Sequence, residues 1–224
     1  MPERTVDTWV AAAICSAFRD VRIWDPTQAM KGRNWDRAFR PSEAGMAFIF
    51  EDKGTTAVTR TRKPPLQTHR IDIRADQLDW YCDEIEPASM IPVYYVLPKP
   101  PWDGGASSGH VPEQAACRVT SDAGAFPEWT YVSRCTDLRV GLSGRRSVDT
   151  GELPLPGSMK LAEFLQEVRH GRAGEWVAPE KTDVRPLRSL GRLAPEPEGI
   201  RQSPHTGSAL AVLVPVRNLA SQGS

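Results

Sequence analysis

Residues 46–53, MAFIFEDK, constrain this chain more than any other stretch, because five largely apolar residues run straight into Glu51, Asp52 and Lys53. Side chains alternate faces along a strand. Ala47, Ile49, Glu51 and Lys53 therefore point one way, and Phe48, Phe50 and Asp52 the other. A run this apolar reads as a central strand rather than a peripheral one. Two carboxylates and an ammonium at the end of a buried strand are costly unless something compensates them. A bound divalent cation would do so, and a cation beside a lysine is also suited to breaking a phosphodiester with water.

A third acid lies fifteen positions before Glu51, in NWDRAF, where Asp36 begins a short strand expected over 35–39. The loop 40–45 is of hairpin length, so a hairpin is expected to bring the Asp36 carboxylate beside Glu51. Placed a few ångströms apart, the two acids would raise each other's pKa without a metal and favour one being bound. Lys53 sits about 7 Å along the strand from Glu51. It is placed to face a nucleophile or the charge developing on a phosphate. The plain alternative is a solvated hairpin end with a Glu–Lys surface pair worth about 0–1 kcal/mol.

The charge is balanced, with 28 basic and 28 acidic residues. No global field draws the chain to nucleic acid, so any such contact requires a local basic patch. Arg60, Arg62 and Lys63, just beyond the acidic strand, are the candidates, with Arg70 and Arg74 further along. Trp102, in the loop PKPPWDGG, is a candidate for stacking on bases; Trp80 and Tyr81 read as core. No apolar run approaches the roughly 20 residues that span a bilayer, and no signal-peptide pattern opens the chain. A cytoplasmic protein without membrane association is expected. The four cysteines and four histidines are scattered without metal-ligand spacing, and the thiols read as structural.

Helical spacing of Val6, Trp9, Val10, Ala13, Ile14, Ala17 and Phe18 predicts an amphipathic helix over 5–18. Glu3 projects onto its buried face and Asp7 lies one turn on; either answers the helix dipole or joins an acidic site. Strands are expected over 21–24, 35–39 and 46–53, then an irregular basic segment over 54–70. His69, Ile71 and Ile73 alternate as an edge strand or a helix lead-in. A short helix over 75–84 is expected to bury Leu78, Tyr81 and Cys82, and 91–97 to form a strand covered on both faces. Beyond lie a Pro/Gly loop over 98–112, a strand over 128–140, and a helix over 158–170 capped by Ser158 and ended by Gly171. A Pro-rich wrap over 179–204 and a strand over 209–216 close the chain.

Residues 3–98 resemble the PD-(D/E)xK nuclease superfamily, the restriction-endonuclease-like fold. The resemblance rests on the N-terminal helix, WDRAF with Asp36, FIFEDKG with Glu51 and Lys53, the helix DQLDWY and the strand IPVYYVLP. It implies an α/β fold, a central mixed sheet flanked by helices, with an αβββαβ core over 1–98 and an extension over 99–224 packed on it. It also implies a metal-dependent nuclease acting on DNA rather than RNA. Asp36, Glu51 and the backbone carbonyl of Asp52 would bind Mg²⁺ or Mn²⁺, and Lys53 would position or activate the water. Glu3 and Gln77 are further site candidates by the same resemblance. Trp35 stands where the motif has proline. A homodimer or a partner protein would supply specificity. The alternatives are a module that keeps the fold and binds without hydrolysis, and a purely structural domain.

Overall fold

The computed structural model describes residues 1–24, 45–60, 66–100, 123–177 and 208–215. Helix α1 (Glu3–Ala17) leads into the short strand β1 (Arg22–Trp24), and after residue 44 the apolar run forms β2 (Gly45–Asp52). A hairpin, β3 (Thr56–Arg60) and β4 (Leu66–Asp72), precedes α2 (Ala75–Trp80). That helix continues through a π turn (Tyr81–Ile85) into one further turn, α3 (Glu86–Ser89), and then strand β5 (Val93–Pro98). The later elements are α4 (Phe126–Trp129), β6 (Thr130–Arg134), α5 (Cys135–Leu142) and β7 (Ser147–Asp149). They are followed by β8 (Met159–Lys160), α6 (Leu161–Arg169), β9 (Glu175–Val177) and β10 (Ser208–Pro215).

The result is a mixed α/β architecture. The main sheet runs β1-β10-β2-β5-β6-β8, with β9 also paired to β2, and β3-β4-β7 form a second, smaller sheet. In the main sheet β2 and β5 run parallel, while its other described pairs are antiparallel. A parallel pair needs a crossover connection, and here the crossover carries the β3–β4 hairpin and the α2 helix.

Strand β2 is buried along its whole length. Its alternation sorts the two cores as expected. Ala47 and Ile49 pack with Leu78, Tyr81, Ile85 and Tyr95 under α2 and α5. Met46, Phe48 and Phe50 pack with Val6, Val10, Ile14 and Phe164 under α1 and α6. Phe164 sits 5.2 Å from both Phe48 and Phe50 and 4.7 Å from Tyr94. Such aromatic pairs add about 0.5–1.5 kcal/mol each beyond their buried area.

Several expectations change. Within the segment 54–70, residues 56–60 and 66–70 pair as antiparallel strands rather than irregular chain, and β4 finds a third strand in β7 far along the sequence. The strand expected over 128–140 stops at Arg134. Cys135, Leu138 and Leu142 are buried at helical spacing and make the rest α5. Ser158 does not cap α6: its hydroxyl donates to Leu155 O at 2.6 Å, and the chain passes through β8 before Lys160 takes the capping position. Gly171, at φ +70°, does end that helix.

The largest change concerns the neighbours of β2. All eight of its residues pair with β10, from Gly45 opposite Pro215 to Asp52 opposite Ser208. On the other edge β5 pairs Ile49 to Asp52 and β9 pairs Gly45 to Ala47. Residues beyond 98 thus supply strands inside the main sheet. Both edges of β2 are thus lined by described strands, and the strand expected over 35–39 lies outside the described residues.

Candidate functional site

Glu51 lies at the carboxyl end of β2, fully buried and flanked by Ala209 on one neighbouring strand and Tyr95 on the other. Its carboxylate is held by three side chains. Lys53 Nζ donates to Oε1 at 2.6 Å, Gln77 Nε2 donates to the same oxygen at 2.9 Å, and the Tyr81 hydroxyl donates to Oε2 at 2.7 Å. Lys53 Nζ also donates to Gln77 Oε1 at 2.9 Å, closing a ring of hydrogen bonds. The ammonium sits 5.6 Å from the centre of the Tyr95 ring, which adds a cation–π contribution.

Each partner follows from local sequence. Glu51 and Lys53 are two apart on one strand, hence on one face. Gln77 and Tyr81 are four apart on the helix, hence on one helical face, and that face lies over the strand end. With Lys53 only 6% exposed and Glu51 0%, this is a buried ion pair rather than a surface bridge. Removing one member of such a pair costs about 3–5 kcal/mol, because the other charge is left unpaired.

The opposite face of the strand end carries a second feature. Asp52 is fully buried against α1, and while Asp7 beside it is ionised neither of its carboxylate oxygens has a hydrogen-bond donor among the described residues. Burial first, then the charges of Asp7, Glu51 and Glu3, push its pKa well above the usual carboxylate range. A hydrogen bond between the Asp52 and Asp7 carboxyls also raises it, and that bond requires a proton on one of the two. Gly54 makes this packing possible: a Cβ there would lie 2.8 Å from Met1 O and 2.9 Å from Glu3 N.

A cleft of about 610 Å³ opens beside Lys53, lined also by Glu3, Gly54, Thr55, Asp72 and Arg74. It lies just beyond the carboxyl end of β2.

Of the expected site residues, the structure brings Glu51, Lys53 and Gln77 into direct contact and sets Glu3 at the cleft rim. Asp36, Arg62, Lys63, Trp102 and the side chain of Arg60 lie outside the described residues. Tyr81 was expected only as core, yet it holds Glu51; its spacing from Gln77 was the available signal. Asp52 was expected to contribute its backbone carbonyl, and its buried side chain is an additional feature. Among the described residues no group of three or more His, Cys, Asp or Glu side chains is arranged to hold a metal ion, and no helix is long and apolar enough to cross a membrane. Comparisons of the chain with protein families, with curated proteins and with solved structures return no match.

Proposed function

We propose that this chain is a metal-dependent nuclease with a restriction-endonuclease-like αβββαβ core, hydrolysing phosphodiester bonds of DNA rather than RNA. The observation carrying this reading is the buried Glu51–Lys53 pair, gripped by Gln77 and Tyr81, at the end of a central strand beside a cleft. A surface pair would need no such enclosure.

The donors present fit Mg²⁺ or Mn²⁺ in kind, since Glu51 and the Asp52 carbonyl offer hard oxygens. Glu3 and Asp72 line the same cleft, and Asp36, the second carboxylate of this reading, lies outside the described residues. A bound ion would lower the pKa of its water and polarise the scissile phosphate. The protein's own groups do the rest. Two of the three ammonium protons of Lys53 are committed to Glu51 and Gln77. The third is left for a phosphate oxygen or the attacking water at the cleft. Gln77 fixes both Glu51 and Lys53, and Tyr81 keeps the far oxygen of Glu51 from rotating.

Plasmid or single-stranded DNA is the direct test. Cleavage is expected with Mg²⁺ or Mn²⁺, to stop with EDTA, and to be abolished by Asp36→Ala and by Glu51→Ala in folded protein. Cleavage unchanged by both substitutions refutes the proposal. A second reading, a nuclease-fold module that binds without hydrolysis, draws on one observation: both Glu51 oxygens already have protein donors. DNA or protein binding indifferent to EDTA, without cleavage, supports it.

A further inference from the structure

Cys82 and Cys135 are buried free thiols on two elements clamped together from both sides. Cys82 lies in the π turn directly after Tyr81, and Cys135 opens α5. Arg134, just before Cys135, donates to Glu86 through Nε at 3.2 Å and Nη2 at 3.3 Å. Arg139, one turn after Cys135, donates to Asp83 at 2.7 Å and lies 3.8 Å from Asp79. Both thiols belong to one core cluster, on the two elements that these bridges hold together.

We propose that Cys82 and Cys135 form a dithiol site that closes to an intramolecular disulfide by exchange with a small-molecule disulfide. Cys82 is the attacking sulfur. It is 7% exposed against 0% for Cys135. Its thiol is pulled down by the hydrogen bond from Cys135 and by the nearby Arg139 charge, while the same shared bond and burial push Cys135 up. The Cys82 thiolate attacks one sulfur of the reagent RSSR, giving a mixed disulfide and releasing RS⁻. Cys135 passes its proton to the released thiolate, attacks the Cys82 sulfur and expels the second RS⁻. In sum, two protein thiols and RSSR become one protein disulfide and two RSH.

Closure draws the sulfurs to about 2.05 Å, pulling the π turn toward α5. Tyr81 precedes Cys82, so its 2.7 Å bond to Glu51 is what this motion disturbs. That consequence rests on the site reading above, whereas the disulfide itself does not.

The test uses the full chain with Cys15→Ser and Cys117→Ser, incubated with hydroxyethyl disulfide as the probe. The expected result is an intact mass lower by two hydrogens, no alkylatable thiol, a peptide linked through Cys82 and Cys135, and reversal by dithiothreitol. Two thiols still free, or a mixed disulfide persisting at Cys82, overturns the proposal. Mn²⁺-dependent cleavage should fall about a hundredfold on closure, as expected for a displacement near 1 Å. Undiminished cleavage by the closed form overturns the coupling to the site. If the reduced protein does not cleave either, the nuclease reading has failed, and the mass result still judges the dithiol.

Discussion

Tyr81 and Tyr95 offer a matched pair for testing whether Glu51 is held as the geometry indicates. Both are buried, their rings meet edge to face at 6.0 Å and 84°, and both are large apolar members of the same core. Their hydroxyls differ in surroundings, and the Lys53 contact with the Tyr95 ring survives replacement by phenylalanine. The Tyr81 hydroxyl donates to Glu51 Oε2, whereas the Tyr95 hydroxyl is buried with no hydrogen-bond partner among the described residues. Replacement by phenylalanine removes that one oxygen and keeps the ring. For Tyr81→Phe the loss is a hydrogen bond to a charged acceptor, about 1.5–3 kcal/mol, with Oε2 left unsatisfied. For Tyr95→Phe a buried hydroxyl that gains nothing is removed, so the change should be neutral or stabilising. Urea unfolding of both variants beside the parent is the assay. In thermal melts a loss of about 2 kcal/mol corresponds to a drop in Tm of about 4–8 °C at this chain length. Equal destabilisation by the two substitutions would refute the claim that Tyr81 grips a buried carboxylate.

The acid on the other face of β2 gives a pH signature. Because burial and neighbouring acids raise the Asp52 pKa in the folded chain, the folded state binds a proton that the unfolded state releases above about pH 4. The stabilisation is complete below the unfolded value and is lost as pH rises through the folded one. Asp52→Asn, measured in EDTA, should therefore be more stable than the parent near pH 8, with the gap closing toward pH 4; a gap independent of pH contradicts the assignment. Gly54→Ala should destabilise by about 1–3 kcal/mol, as overpacking does, since its Cβ would meet backbone atoms of Met1 and Glu3. An unaltered melting temperature for that variant would show that α1 does not pack against the end of β2 as described.

Much of the site was legible because it is written in short-range spacing. The apolar run before Glu51 marked a central strand, and the period of two placed Glu51 and Lys53 together and Asp52 opposite. Gln77 entered as a candidate by resemblance, and the period of the helix put Tyr81 beside it. The role of Tyr81 was missed because a tyrosine at a buried helical position reads as core whether or not its hydroxyl meets a carboxylate. The dithiol was missed because Cys82 and Cys135 lie far apart in the chain, and only the packing of α5 on the π turn brings them together.

The strand partners were the least legible part. Loop length points only to near neighbours such as 35–39, and nothing in the spacing of 208–215 marks it as a partner of β2 across more than 150 residues of chain. By itself the sequence determined which residues of β2 face which core and where its charges fall, because side-chain alternation follows from the geometry of a single strand. Which strands lie beside Glu51 was decided only in the tertiary structure. Backbone N–H and C=O groups are the same along every strand edge, so β10 and β5 took those edges through the fit of their side chains into both cores.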